Sequence, residues 1–143
     1  LIEQGLASKV ICTGALVPDI LKVLKIEHRE AEVSRIGLVD NYNIPGEVVD
    51  TILSGTSTKE ESELVLAYCL EHDFKTVIIL SSSFHTRRVN NVFKPLLEPE
   101  GIKVIIHGAP SSQYRESEWW KFEAGMIMVN NEYMKHLYYF LKY

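Results

Sequence analysis

Short apolar runs alternate along the chain with longer segments of mixed polar and apolar residues. The runs are four to six residues long and rich in β-branched side chains. This pattern is typical of strands that are buried in a parallel sheet. Strands are therefore predicted at Lys9–Cys12, Val48–Leu53, Thr76–Leu80 and Ile102–Ile106.

The segments between these runs carry apolar residues at three- and four-residue spacing, which indicates amphipathic helices. The predicted helices are Pro18–Leu24, Ala31–Asn41, a segment after Ser57, a segment after His85 and the aromatic stretch Glu118–Tyr143. Pro95 and the Pro99-Glu100-Gly101 segment are expected to end the fourth helix. Gly125 or the pair Asn130-Asn131 is expected to divide the last one.

The alternation of strands and helices defines the expected fold class. Strands that follow one another through helical connections form parallel βαβ units with right-handed crossovers. The prediction is an α/β fold, a three-layer αβα sandwich with a mostly parallel Rossmann-like sheet, built by a single domain over residues 1–143. The opening segment Leu1–Gly5 is typical of the tail of a helix that ends at a glycine. A first strand of the sheet is therefore expected to precede residue 1.

Composition narrows the possible functions. The chain has 46% apolar and 24% charged residues, as expected of a soluble globular protein. Its net charge is −4 and its basic residues form no stripe, so nucleic acid is not an expected partner. No run of 18 apolar residues could span a membrane. Cys12 and Cys69 have no metal-type spacing and are expected to be buried free thiols.

The stretch Ser81–Arg88 joins the third predicted strand to the fourth helix. Open α/β sheets usually hold their ligands at such strand-to-helix turns. Arg87 and Arg88 lie in the first turn of the helix, where a cation opposes the helix dipole at a cost of up to about 1 kcal/mol. A bound anion would explain this placement, whereas the alternative is that both arginines point to solvent or to a nearby carboxylate.

His85 lies at the start of the same helix, where the dipole disfavours a cation, so it is expected to be neutral near pH 7. A neutral imidazole can accept a proton. The neighbouring serines are not expected to form a nucleophile pair with it, because a serine and a histidine two or three residues apart on one turn rarely align and no glycine-flanked serine elbow is present. Arg88, the serine hydroxyls and the helix amides instead suit a phosphate or carboxylate.

A second hydroxyl-rich turn follows the second predicted strand. Ser57 and Glu60 have the spacing of a capping box, in which Ser57 caps the helix and Glu60 reaches back to the backbone. A functional interpretation places Thr58 and Glu60 at the sheet edge, facing the Ser81–Arg88 turn. Glu60 is then a general base, a hydroxyl acceptor or the partner of an arginine. The two interpretations can coexist.

Two other positions are candidates for a site. Gly14 follows the first strand and allows either a close approach by a ligand or an ordinary tight turn. Trp119 lies near a polar loop, Ser111–Ser117, and can line a pocket or pack in the core. The histidines show no metal-ligand spacing, so no metal site is predicted; they are His28, His72, His85, His107 and His136.

Several stretches together resemble the YdcF/SanA/ElyC-like family of bacterial proteins. They are Gln4–Gly14, similar to the family's helix-Gly-Ala-strand-Gly segment; Ser57–Ser62, similar to its Ser/Asn-Thr-x-Glu signature; and Ser81–Val89, similar to its Thr-Ser-x-Tyr/Phe-His-x-x-Arg-Ala signature. A weaker similarity is found at the end, where Trp119 and Trp120 precede Asn131-Glu132-Tyr133 and Lys135–Tyr139.

The resemblance implies a polar cluster of Thr58, Glu60, Ser82, His85 and Arg88, with Gly14 at the first turn. It also implies a protein of the bacterial cell envelope or plasma membrane with a role in peptidoglycan or surface-polysaccharide biogenesis. Membrane attachment would require an anchor before residue 1; without it the chain is expected in the cytoplasm. At least one family member is associated with binding S-adenosylmethionine.

The residues and the resemblance together predict binding of a small anionic or phosphorylated ligand, with catalysis left open. The alternatives are a non-catalytic module that binds an envelope ligand or partner through its aromatic C-terminal helices, and a nucleotide- or S-adenosylmethionine-binding protein. No cofactor is predicted. The candidate catalytic residues are His85 and Glu60, and the candidate ligand-binding residues are Gly14, Ser57, Thr58, Ser82, Ser83, Arg88 and Trp119.

Overall fold

The computed structural model describes residues 2–142 and has the predicted α/β character, with helices and strands alternating along the chain. Its backbone contacts divide the chain into two compact units, one ending at Ala67 and the other beginning at Tyr68. Each unit contains one pair of parallel strands. The helix α3, Thr58–Glu71, contains the boundary between them.

The first unit is built around strands β1, Val10–Thr13, and β2, Val49–Ile52, which pair in parallel with Val10 opposite Val49. The connection between them contains helices α1, Asp19–Val23, and α2, Glu30–Ile36, followed by a π-helical turn at Gly37–Asn41 and a 3-10 turn at Gly46–Val48. Cys12, Ala31 and Val49 form its buried core. Both ends of each of these strands differ by one residue from the predicted ends.

The second unit is built around strands β3, Thr76–Ser82, and β4, Lys103–Ala109. They pair in parallel over their full length, from Thr76 opposite Lys103 to Ser82 opposite Ala109. A 3-10 turn at Ser83–His85 leads into helix α4, Thr86–Leu97. The apolar face of this helix is buried, as its 3-4 spacing predicted; its buried apolar residues are Val89, Phe93 and Leu97.

Pro95 does not end helix α4, contrary to the prediction. It lies near the end of the helix, where the next turn still closes through a hydrogen bond from the Glu98 amide to the Lys94 carbonyl. A 3-10 turn at Glu98–Glu100 follows, and Gly101 ends the segment with a φ of 78°. The left-handed conformation at Gly101 is the usual glycine stop of a helix.

The predicted helical segment Glu118–Tyr143 is divided, as expected, but at Phe122 and not at Gly125 or Asn130-Asn131. A 3-10 segment at Glu116–Lys121 precedes helix α5, which continues from Glu123 to Lys142 through both proposed breaks. Gly125 has a different role, because it is buried and lies directly against the backbone carbonyl of Trp119. A side chain there would collide with that carbonyl, so the glycine serves packing and not helix termination.

Several other expectations can be compared with the described residues. Both cysteines are buried and free, as predicted. Residues 2–5 form a turn that ends at Gly5, whose φ is 67°; Leu1 and Tyr143 lie outside the described residues. Within residues 2–142, no helix is both long and apolar enough to cross a membrane.

Candidate functional site

The turn between β3 and α4 is held by hydrogen bonds that its own hydroxyl groups donate. The Ser83 hydroxyl donates to the Ala109 carbonyl at 3.1 Å, and the Thr86 hydroxyl donates to the Ser83 carbonyl at 2.7 Å. Gly108 lets β4 approach, since a Cβ there would lie 3.2 Å from the Ser83 Cα. The polar residues of the turn are therefore placed by the end of β3 and the start of α4, as predicted.

The helical geometry of α4 directs neighbouring polar residues of the turn to different surroundings. Arg88 is buried and pairs with a carboxylate of α5. Arg87 is exposed and lines a depression next to β4. Successive helical residues are rotated by about 100° around the axis, so two adjacent arginines cannot share one face.

Arg88 forms a buried ion pair with Glu132, a residue that the sequence interpretation did not select. Its Nε and Nη2 atoms donate to the two carboxylate oxygens of Glu132 at 3.0 and 3.1 Å. Only 7% of Arg88 and 5% of Glu132 is exposed, so this bidentate pair is largely shielded from water. The Arg88 guanidinium also lies 5.9 Å from the centre of the Tyr139 ring. The predicted ligand arginine thus has a strong partner within the protein.

The same carboxylate has two further nitrogen-bearing neighbours. His85 Nε2 lies 3.1 Å from Glu132 Oε1, and Lys135 Nζ lies 3.7 Å from it. We call His85, Arg88, Glu132 and Lys135 the Glu132 cluster. Burial works to raise the pKa of Glu132, but the hydrogen bonds and charge of Arg88, helped by His85 and Lys135, outweigh it and lower that pKa. Glu132 is therefore an anion at neutral pH.

His85 is neutral near pH 7, as the sequence predicted, although the main cause is different. Burial lowers its pKa below the ordinary 6.5, Glu132 acts in the opposite direction, and the charges of Arg88 and Lys135 lower it further. A quarter of its side-chain surface, 25%, remains exposed. Its Nε2 atom is buried and has no well-aligned hydrogen bond among the described residues, and the same is true of Ser82 Oγ.

The depression beside α4 has a volume of about 450 Å³ and is open to solvent. We call it the turn pocket; it is lined by Ser83, Thr86, Arg87, Asn90, Ile106 and Gly108. None of the ion pairs within residues 2–142 involves Arg87. Of the predicted ligand residues, Ser83 lines this pocket and Arg88 does not; the arginine that lines it is Arg87.

Trp119 belongs to an aromatic cluster with Phe84 and Tyr114. Phe84 stacks on Tyr114 with ring centres 5.8 Å apart, and Trp119 meets Phe84 edge-on at 6.5 Å. Tyr114, from the polar loop, is only 7% exposed. The loop is thus anchored over Phe84, and Trp119 packs against the aromatic residue that precedes His85.

Ser57 and Glu60 form the helix cap that their spacing predicted. The Ser57 hydroxyl accepts from the Glu60 amide at 3.2 Å, and the Glu60 carboxylate accepts from the Thr56 amide and hydroxyl at 2.7 and 3.0 Å. Thr58 is the first residue of α3. This arrangement confirms the capping interpretation. The predicted approach of this turn to the Ser81–Arg88 turn stays a prediction.

Gly14 is explained by packing within the first unit. Its φ is +135°, and a Cβ there would lie 2.7 Å from the Glu30 Cβ. The Gly14 carbonyl accepts a hydrogen bond from the Ala31 amide at 3.2 Å. The start of α2 therefore fills the space beside Gly14 where a ligand was predicted to approach.

Glu132 was missed because its partners lie 44 residues earlier in the chain, at Arg88. A signal was nevertheless present: Gly125, Val129 and Glu132 follow at three- to four-residue spacing and share the buried face of α5. A carboxylate on the buried face of a helix requires a cationic or hydrogen-bonding partner. Its position in the Asn131-Glu132-Tyr133 stretch had entered only through the family resemblance.

Comparisons with models of protein families, with curated proteins and with solved structures returned no match. Within the described residues, no group of three or more histidine, cysteine or acidic side chains could hold a metal ion.

Proposed function

We propose that this chain is a bacterial envelope-associated α/β protein that binds a small anionic or phosphorylated ligand at the β3–α4 turn. The observation that supports ligand binding is the turn pocket, whose described lining contains a guanidinium and an amide but no carboxylate. The pocket lies beside the carboxyl end of β3, where open α/β sheets usually bind ligands.

The donors for such an anion are Arg87 and Asn90. The hydroxyls of Ser83 and Thr86 already donate to backbone carbonyls, so they shape the pocket without supplying a proton to the ligand. Arg88 is paired with Glu132 and does not line the pocket. A guanidinium and an amide together suit the planar and tetrahedral oxygens of carboxylates and phosphates.

The family resemblance supplies the biological part of the proposal, a role in peptidoglycan or surface-polysaccharide biogenesis. The finer fold that accompanies it is the three-layer αβα sandwich with a mostly parallel Rossmann-like sheet. It is supported by the parallel pairing in each unit and by the helices in each connection between paired strands. His85, on the same turn, is the candidate proton acceptor.

A thermal-shift panel tests the ligand proposal. The panel compares inorganic phosphate, a sugar 1-phosphate, adenosine monophosphate and S-adenosylmethionine. A ligand that binds only the folded state raises the melting temperature of the protein. We expect phosphate-bearing compounds to stabilise the protein and Arg87→Ala to weaken the apparent affinity about tenfold or more, since a charge-assisted hydrogen bond contributes roughly 1.5–3 kcal/mol.

Arg115→Ala is the matched control, because this arginine is in the same unit and its side chain is 79% exposed. The proposal is wrong if no anion stabilises the protein, or if both arginine variants weaken binding equally. A response to S-adenosylmethionine alone would favour the nucleotide alternative.

A non-catalytic binding module is the second candidate, and the surface of α5 favours it. Large apolar side chains on this helix are strongly exposed: Tyr133 at 72%, Met134 at 65%, Phe140 at 82% and Leu141 at 74%. Exposed apolar surface of this kind marks sites of interaction with other molecules. Loss of function in a folded Tyr133→Ser/Phe140→Ser variant, with anion binding intact, would favour this candidate. Full function in that variant would argue against it.

A further inference from the structure

Glu132 is held in one orientation by its contacts. Both of its oxygens accept hydrogen bonds from Arg88, at 3.0 and 3.1 Å, and its side chain is only 6% exposed. A bidentate pair fixes the plane of a carboxylate as well as its position. The oxygen that faces His85 is therefore a fixed negative group and not a mobile one.

The position of this oxygen distinguishes the two nitrogens of His85. Nε2 lies 3.1 Å from Glu132 Oε1, and this nitrogen is buried. If Nε2 were unprotonated, its lone pair would face a carboxylate at close range, which is repulsive. If Nε2 carries the proton, the approach is attractive, because the N–H dipole then faces the negative oxygen.

We propose that Glu132 is a positioning residue that keeps the proton of neutral His85 on Nε2 and leaves Nδ1 as the proton acceptor. Glu132 itself touches no ligand in this role; it acts through the imidazole. The inference rests on the proposed function, because a positioned acceptor matters only when a ligand binds at this turn. The ligand chemistry it suits is a hydroxyl group or a protonated phosphate oxygen.

The surrounding charges support this assignment. The groups that face the imidazole are Glu132 and Lys135 from α5 and Arg88 from α4. Burial, Arg88 and Lys135 all oppose a positive charge on His85, whereas Glu132 favours it. The ring is thus neutral at pH 7 and can accept a proton, while its Nε2 atom lies 3.1 Å from a carboxylate oxygen.

Nitrogen-15 NMR of the histidine side chains tests the proposal without a ligand. Long-range proton–nitrogen correlation spectra distinguish the two neutral tautomers, and His85→Gln identifies the His85 signals by their loss. We expect wild-type His85 at pH 7.5 to have its proton on Nε2. A wild-type spectrum with the proton on Nδ1, or with an even mixture of tautomers, overturns the proposal.

Two variants separate positioning from a merely structural role. Glu132→Gln should lose the Nε2–H preference, because its amide can donate to Nε2, and should lower the pKa of His85 further. Since this variant leaves Arg88 without its anion, it can fail to fold. Lys135→Met is the second variant; Lys135 is 51% exposed, and its loss should raise the pKa of His85 with the tautomer unchanged.

An unchanged tautomer and pKa in folded Glu132→Gln, or a changed tautomer in Lys135→Met, would also refute the proposal. Titration with inorganic phosphate in the same samples tests the proposed function separately. Nε2–H in wild type with no phosphate response means that the ligand proposal fails while the role of Glu132 stands. A phosphate response with the proton on Nδ1 means that the ligand proposal stands while the role of Glu132 fails.

Discussion

Arg87 and Arg88 are adjacent in sequence but lie in different environments. From the helix dipole alone the two arginines could not be distinguished, because each is a cation at a helix start and opposes the dipole. The structure separates them, because Arg88 faces a buried carboxylate and Arg87 faces the turn pocket. Sequence spacing alone could not assign these faces, since the partner of Arg88 lies 44 residues away, at Glu132.

Replacement of each arginine by alanine should therefore give different losses of stability. Arg88→Ala leaves Glu132 buried without its main partner, which typically costs about 3–5 kcal/mol. Arg87→Ala removes an exposed side chain and should change the free energy of unfolding by less than about 0.5 kcal/mol. Urea denaturation of both variants measures the difference. Equal losses would show that the Arg88–Glu132 pair is not buried as described.

The pH dependence of stability should contain a step from His85. Its pKa is lowered in the folded state from the ordinary 6.5, first by burial and then by Arg88 and Lys135 against the opposing effect of Glu132. The unfolded chain therefore binds a proton at a higher pH than the folded protein does. The free energy of unfolding should fall as pH drops below about 6.5, and this step should be complete at the folded pKa.

Urea denaturation between pH 8 and pH 5 measures this step, and His85→Gln should flatten it. The lowered pKa of Glu132 acts at lower pH, because its contribution is complete above the ordinary 4.5 and is lost as pH falls through its folded value. An unchanged pH profile in His85→Gln would contradict the description of His85 as a buried neutral group.

At the scale of elements, a glycine can lie inside a helix or end one, depending on its position. Gly125 looked like a helix break, yet α5 continues through it because the absent side chain makes room for Trp119. Gly101 has the left-handed φ of 78° that a helix end requires. A glycine in a helical pattern can therefore indicate close packing, which only the tertiary contact reveals.

Gly125→Ala should destabilise the protein even though alanine favours a helix by about 1 kcal/mol over glycine. The added methyl group meets the Trp119 carbonyl, and forced overpacking typically costs about 1–3 kcal/mol. Gly37→Ala is the control, since this glycine has helical dihedral angles and nothing lies within 4 Å of the added carbon. Thermal unfolding should show a loss for the first variant and none for the second; equal effects would refute the packing role.

Ser57 should act as a helix cap and not as a ligand residue. Ser57→Ala removes the acceptor for the Glu60 amide and should cost about 1 kcal/mol, whereas Ser57→Asp keeps an acceptor and should retain stability. Denaturation midpoints measure this. Phosphate binding measured in the same variants should be unchanged; a loss of binding in Ser57→Asp at full stability would restore the functional interpretation of this turn.

At the scale of the whole molecule, local pattern predicted more than long-range pairing. All four strands and the α/β class follow from β-branched runs and helical spacing, because these depend on neighbouring residues. The structure shows two separate parallel pairs, β1–β2 and β3–β4. The Glu132 cluster could not be predicted from sequence spacing, because it depends on a tertiary contact between α5 and the β3–α4 turn. Gly14 and Ser57 lie at the turns where they were predicted, and their contacts there are packing against Glu30 and a helix cap.

Anion binding at the β3–α4 turn is tested most directly by backbone amide NMR with inorganic phosphate. We expect saturable shifts confined to the amides from Ser83 to Asn90, with an apparent affinity that is about tenfold or more weaker in Arg87→Ala and unchanged in Arg115→Ala. Shifts that never saturate, that are spread over both units, or that survive Arg87→Ala would contradict the proposal.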